Sequence, residues 1–287
     1  MYKMHVRSCI DYCLPVYGPS LSNTQVNKLD QLQYRAARMA TMAMKFTSKE
    51  KIFSDLGWES IENRIKYLSL SFFHKIHIHG TRPLIRSCMP PTNQYQNFTR
   101  SNKYYNTFTQ KDTTFSNSFF PKISNLWNDL PSELRNKDMI DFKTELGWLL
   151  KPPKIRLYCL GSKFGNSIHT QLRVKKSQLN DHLFTMRLSN TPSCICSEPL
   201  ETTEHYILDC FMYEVERQEL FTNISGLLIK KLDKYNRHDL VTALLFGENV
   251  HDSDRYQHNK LLFKHFQNFL IKTKRLCYKS KLQYTLP

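Results

Sequence analysis

A mostly helical fold is predicted by three observations: the rarity of chain breakers, the spacing of apolar residues, and the capping signals ahead of them. The 287 residues include only 8 glycines and 12 prolines. Between Pro199 and Pro287 there is no proline, and only Gly226 and Gly247 interrupt that stretch. Both residues disfavour helix interiors, because proline removes a backbone donor and glycine costs conformational entropy. Hydrophobic residues make up 40% and charged residues 23% of the chain, which is globular usage and argues against wholesale disorder. The length suits one large domain or two ordinary ones.

The elements follow in order. Ser22-x-x-Gln25 has the form of a capping box before Val26, Leu29, Leu32, Ala36 and Met39, spaced three and four apart. Thr47-x-x-Glu50 repeats that signal for a short helix ending near Leu56-Gly57. Ser60 can cap a third helix, with Ile61, Ile65, Leu68, Phe72 and Ile76 on one face and Gly80 as its stop. Pro83, Pro90, Pro91 and a polar, Tyr- and Thr-rich run predict a loop over 81–116 with at most one short hairpin. Helices follow from Ser118 to Leu130, ended by Pro131, and from Phe142 to Leu150. The Lys151-Pro-Pro-Lys154 segment marks a domain boundary. The division is therefore 1–89, a loop-rich connector with two helices over 90–150, and a basic helical domain over 151–287. Within the last, helices are expected over Thr170–Leu188, Phe211–Asn236, Asp239–Phe246 and Asp254–Tyr278, with no internal repeat.

Charge is the first clue to partners. The chain has 41 Lys plus Arg against 25 Asp plus Glu, for a net charge of +16. Such a balance favours polyanions, nucleic acid before an anionic membrane surface. It is unevenly placed: residues 151–187 carry +7, residues 188–226 carry −6, and residues 227–287 carry +7. The acidic stretch, Glu201 and Glu204 included, reads as a surface that repels phosphate. Apolar runs no longer than four or five residues cannot span a bilayer, and the start lacks a signal-peptide stretch. The expected location is intracellular, nuclear or cytoplasmic, which keeps the eight cysteines reduced.

Cys194, Cys196, His205 and Cys210 form Cys-x-Cys-x8-His-x4-Cys. Three thiolates and an imidazole are ligands that Zn²⁺ prefers and complete a closed tetrahedral site. Pro192 and Pro199 flank the Cys-x-Cys loop. The Cys-x-Cys pair is tighter than the usual spacing, and five helical residues turn about 140° past register. The helix must therefore end or unwind before Cys210. Three buried cysteines with a surface histidine is the competing reading, and a disulfide is a third.

Two basic arms are candidate nucleic-acid contacts. Lys163, Arg173, Lys175, Lys176 and Arg187 sit on or near one helix. Lys260, Lys264, Lys272, Lys274, Arg275, Lys279 and Lys281 follow with no acidic residue after Asp254. Leu262, Phe266, Phe269, Thr273 and Leu276 make an inward stripe that leaves those lysines outside. A solvated face is the competing reading, and phosphate binding is the sharper one. A membrane-surface helix would want tryptophan, which is lacking there. Catalytic signatures such as Gly-x-Ser-x-Gly, His-Glu-x-x-His and the phosphate-binding loop are absent, as is any Asp-Asp pair. His74, His77 and His79 read as core edge and exposed tip. His251, Asp252 and Asp254 form a weak metal candidate.

Several strings in order resemble the C-terminal part of reverse transcriptases encoded by non-LTR (LINE-like) retrotransposons. They are CIDYCLPVYG, LDQLQYRAAR, LGWESIENRIKYLSLSFFHKI, SFFPKISNLWNDLP with FKTEL, HTQLRVKKSQLNDHLF, and the ligand motif continuing to Arg217. They cover about residues 1–220. The resemblance implies a helical thumb-like bundle over the first 80 residues, gripping a primer–template duplex. It implies a helical C-terminal domain with one small zinc-binding loop, whose four ligands map onto Cys194, Cys196, His205 and Cys210. In the family that region helps hold template RNA or target DNA. The family's catalytic palm, with its paired aspartates, would lie upstream, and the downstream nuclease signature is missing. Two-metal polymerisation needs clustered carboxylates, so no catalytic residue is assigned.

The expected function is that of a non-catalytic, zinc-braced remnant, from a truncated element copy, that binds RNA and/or DNA with no membrane and no small-molecule substrate. A subunit of an active RNA-directed DNA polymerase with its palm encoded elsewhere, a helical protein-interaction module and an inert pseudogene product are the alternatives.

Overall fold

The structure is a computed structural model that describes residues 2–79, 83–92, 104–106, 113–150, 157, 160–248 and 255–276. It is mostly helical, as expected. The helices are α1 (Tyr2–Asp11), α2 (Leu14–Tyr17), α3 (Asn23–Thr41), α4 (Lys49–Leu56), α5 (Ile61–His79) and α6 (Pro83–Ser87). Next come α7 (Thr113–Ser116), α8 (Phe119–Asn128), α9 (Ser132–Arg135) and α10 (Met139–Leu150). The last are α11 (Lys163–Arg173), α12 (Asn180–Thr185), α13 (Glu214–Ile224), α14 (Arg237–Phe246) and α15 (Arg255–Lys272). Among the described residues the one extended pairing is an isolated bridge between Thr92 and Tyr105. It falls in the segment expected to be a loop with at most one short hairpin, most of which lies outside the described residues.

Several boundaries rest on visible caps. The Ser22 box forms in both directions, Gln25 N–H donating to Ser22 Oγ at 3.3 Å and Ser22 N–H to Gln25 Oε1 at 2.8 Å. Ser48, rather than Thr47, caps α4 by accepting from Lys51 N–H at 3.4 Å. Gly57, with φ 60°, closes it. Asp138 starts α10 four residues before the expected Phe142, accepting from the N–H of Ile140 and Asp141 at 2.9 and 2.8 Å.

The chain forms two compact units, Met1–Gln33 with Glu59–Lys154 and Tyr34–Trp58 with Ile155–Pro287. Tyr34–Trp58 is grouped with the C-terminal half. In the first unit α5 packs against α2, α8 and α10. Phe73, Ile123, Trp127, Phe142 and Leu146 form its core. His74 belongs to that core, fully buried and stacked on Phe142 at 4.0 Å.

In the second unit α15 is the central helix, packed on α11, α13 and α14. Leu262, Phe266, Phe269 and Leu276 are buried as the stripe requires, joined by Phe263 and Leu270. A side chain on Gly161 would put its Cβ 2.1 Å from Gln267 Oε1, and the residue's φ of 131° favours glycine. Gln267 uses this close approach to donate to Leu160 O and Asn166 Oδ1, both at 3.0 Å, fixing α11 on α15.

Two expected helices are shorter than their patterns. The basic helix Thr170–Leu188 is instead α11 and α12, parted by a turn in which Lys175 has φ 55°. The break has a side-chain cause. Ser177 Oγ meets His182 Nδ1 at 2.8 Å and accepts from Leu179 N–H at 3.3 Å, offering the backbone an alternative to helix. The expected Phe211–Asn236 helix is helical as α13 only over Glu214–Ile224, with short 3-10 turns at Phe211–Tyr213 and Leu232–Lys234. The final helix ends at Lys272, and Tyr278 lies outside the described residues.

Candidate metal centre

The loop before α13 is built from its own backbone. Glu201 N–H donates to Pro192 O at 2.8 Å and Cys194 N–H to Glu198 O at 2.9 Å. Ser197 N–H closes a turn onto Cys194 O at 3.0 Å, with Ser197 at φ 75°. This tight turn lets a Cys-x-Cys pair face one point. Downstream, His205–Asp209 forms a π-turn in which Cys210 N–H donates to His205 O at 2.9 Å. A π-turn brings residues five apart towards one side, and such turns concentrate at functional sites. The mismatch of an ideal helix is thus resolved by widening one turn.

All four expected ligands converge. One ligand atom each from Cys194, Cys196, His205 and Cys210 lies within 4.8 Å of the others. Cys194 Sγ is 3.7 Å from Cys210 Sγ, and Cys196 Sγ is 3.2 Å from His205 Nε2. Cys194 and Cys210 are buried, Cys196 and His205 half-buried. Burial pushes the Cys194 thiol up to about 12 and raises that of Cys210, which disfavours a bare thiolate at either sulfur. The backbone N–H of Cys196 opposes this at Cys194, and that of Met212 at Cys210, by hydrogen bonding to the sulfur. The cluster could hold a metal ion.

A buried carboxylate ties this loop to both neighbouring elements. Glu201 is fully buried, with Oε1 3.9 Å from Cys194 Sγ. Its other partners are Asn180 N–H, donating at 2.6 Å, and the Arg275 guanidinium, whose Nε donates at 2.6 Å. Arg275 also reaches Asn180 Oδ1 at 3.2 Å, and Asn180 Nδ2 donates to Ser193 O at 2.5 Å. Burial alone would lower the Arg275 pKa, but its hydrogen bonds and charge attraction to Glu201 raise it. On the other side of the centre Arg217, also buried, donates to Cys210 O. Glu201 is therefore a structural anchor, not the phosphate-repelling surface acid that its sequence context predicts.

The candidate phosphate contacts divide into two groups. Arg173 is buried and donates to Asp55 through Nε at 2.6 Å and Nη2 at 3.0 Å, so it is no surface cation. Lys272 pairs with Glu219 at 2.5 Å and Arg275 with Glu201. Lys163, Lys175, Arg187 and Lys274 are exposed and Lys176 is half-buried. Among the described residues none of these five has a carboxylate partner. Lys279, Lys281, His251, Asp252 and Asp254 lie outside the described residues.

Sequence reasoning missed Glu201, Asn180, Arg217 and Asp55. Glu201 carried one usable signal, its place between the ligand pairs. The Asp55–Arg173 pair spans more than a hundred residues and carried none. No helix among the described residues is long and apolar enough to cross a membrane. No family model matches the chain, and no curated protein or solved structure does so significantly.

Proposed function

We propose that the second unit is a zinc-braced module that binds nucleic-acid phosphates and carries no polymerase or nuclease chemistry of its own. One observation carries this reading: the Asn180–Glu201–Arg275 junction joins two basic segments of +7 each beside the metal loop. Lys175 and Lys176 lie close enough to His182 to act on its ionisation, and His182 is two residues from Asn180. Lys274 precedes Arg275 at the same junction. Lys175, Lys176 and Lys274 would then offer cations of both arms to one extended polyanion.

The donor set fits zinc. A tetrahedral ion with Zn–S bonds of about 2.3 Å sets its sulfurs about 3.8 Å apart. The Cys194–Cys210 separation of 3.7 Å has that length. Cys194, Cys196, His205 and Cys210 would hold the ion, and the ion would supply folding energy on the order of 10 kcal/mol to the loop. Full occupancy by protein ligands leaves no open position for catalysis. The reading agrees with the resemblance to the C-terminal region of non-LTR reverse transcriptases, and the expected product of the isolated chain in a primer-extension assay is none.

The test is a titration of a labelled oligonucleotide at several salt concentrations. Replacing Lys175, Lys176 and Lys274 with glutamine should weaken binding to all sequences. It should flatten the salt slope by up to about 0.9 for each phosphate left without its cation. An unchanged affinity and slope would reduce these lysines to a solvated face.

A further inference from the structure

Around the metal loop lies a second surface of opposite character. Ile195 is 72% exposed, Phe211 66%, Met212 51% and Val215 77%. Ile195 stands between two of the metal-site cysteines, and Phe211 and Met212 directly follow the third. Val215 lies in the first turn of α13, one turn beyond Phe211. Ile195 and Phe211 adjoin ligands in sequence and those ligand atoms lie within 4.8 Å of one another, so the four residues belong to one neighbourhood. They are solvent-facing, while the inward side of α13 buries Arg217, Leu220 and Ile224.

The charge in this neighbourhood is acidic. Of the seven acidic residues in 188–226, Glu201, Glu204, Asp209, Glu214 and Glu219 are paired with Arg275, Arg237, Arg217 and Lys272, so among the described residues Glu198 and Glu216 are the carboxylates left without an ion pair. Glu198 and Glu214 are exposed and Glu216 is half-buried. An acidic border repels a phosphate backbone or an anionic bilayer. An isolated exposed apolar residue needs no explanation, but four around one rigid loop mark a contact surface. Phe and Met are favoured as interface anchors, and a border of one charge selects a partner of the other.

We infer that the Ile195–Phe211–Met212–Val215 face docks a basic amphipathic helix of a partner protein. Its apolar stripe would cover the four side chains, and its lysines or arginines would face Glu198 and Glu216. This surface shares no residue with the Asn180 junction, and the inference goes beyond the nucleic-acid reading. The loop's backbone hydrogen bonds fix the anchors in place, so little ordering entropy is lost on docking.

The probe is a fluorescent Leu/Lys peptide of about 18 residues with leucine at helical spacing, titrated into the full zinc-loaded chain. A Leu/Glu peptide of the same pattern is the control. Binding of the Leu/Lys peptide alone is expected. It should be weakened at least about tenfold by Ile195→Ser with Phe211→Ser and Val215→Ser. Glu198→Gln with Glu216→Gln should weaken it and flatten its salt dependence. Metal content and oligonucleotide affinity of each variant show that folding and the phosphate site are intact. Equal binding of both peptides, or no effect of the serine variant, overturns the inference. So does loss of oligonucleotide affinity in that variant, which gives the face to nucleic acid. Concentration-dependent self-association abolished by the same substitutions gives it to a second copy and also overturns it.

Discussion

Glu201 and Arg275 make a pair whose members are not interchangeable with neutral residues. Glu201 is fully buried, and its side chain touches the metal loop, α12 and the end of α15 at once. Removing one member of a buried ion pair leaves the other uncompensated and costs about 3–5 kcal/mol. Glu201→Gln is therefore expected to lower stability by that order in denaturant titrations of the metal-loaded protein and to speed zinc release to a chelator. Glu204→Gln, at an exposed bridge to Arg237, should change stability by no more than about 1 kcal/mol.

His182 supplies a pH test at the same scale. Burial, helped by Lys175 and Lys176 and opposed by Asp181 and Glu201, lowers its pKa to about 4. Ser177 N–H donates to Nδ1 at 3.3 Å, which requires a neutral ring with its proton on Nε2. The unfolded chain then binds the extra proton more readily than the folded one. Stability from this residue is complete above pH about 6.5, falls as the pH drops towards 4, and is flat below that. The full loss is on the order of 3 kcal/mol. Subtracting the pH profile of His182→Gln from that of the parent isolates the contribution from acid-driven metal loss.

Among the helices, the notable feature is where the cations sit. Lys175, Arg187 and Lys274 have φ of 55°, 58° and 54°, each just beyond a helix end. Left-handed backbone costs a non-glycine residue about 1–2 kcal/mol. Lys175→Gly and Lys274→Gly should thus hold or slightly raise the melting temperature while lowering oligonucleotide affinity. A parallel fall in both would mean that the lysines pack rather than bind. This turn chemistry also marks how far the sequence could be read. Helix starts with local side-chain caps, such as Ser22, were legible, as was the α15 stripe, because both depend on neighbours within one or two turns. The four ligands were legible for the same reason. The break after Arg173 was not, because no glycine or proline announces it and Ser177 with His182 makes it. Nor was the role of Arg173 or Arg275, since a charged side chain shows its partner only when distant segments meet.

At the scale of the whole second unit, the metal loop, α12 and the turn after α15 share one buried junction, and Lys175, Lys176 and Lys274 lie within a few residues of it in sequence. On the proposed reading, zinc and phosphate binding would therefore be coupled, although the two sites have no ligand in common. Polyanion affinity should depend on the metal even at fixed salt. The most direct measurement strips the metal with a chelator and titrates the same labelled oligonucleotide before stripping, after it, and after zinc is restored. Binding should be at least about tenfold weaker without metal, recover on reloading, and show the same loss in metal-loaded Glu201→Gln. Metal-free protein that binds with the parent's affinity and salt slope would contradict it.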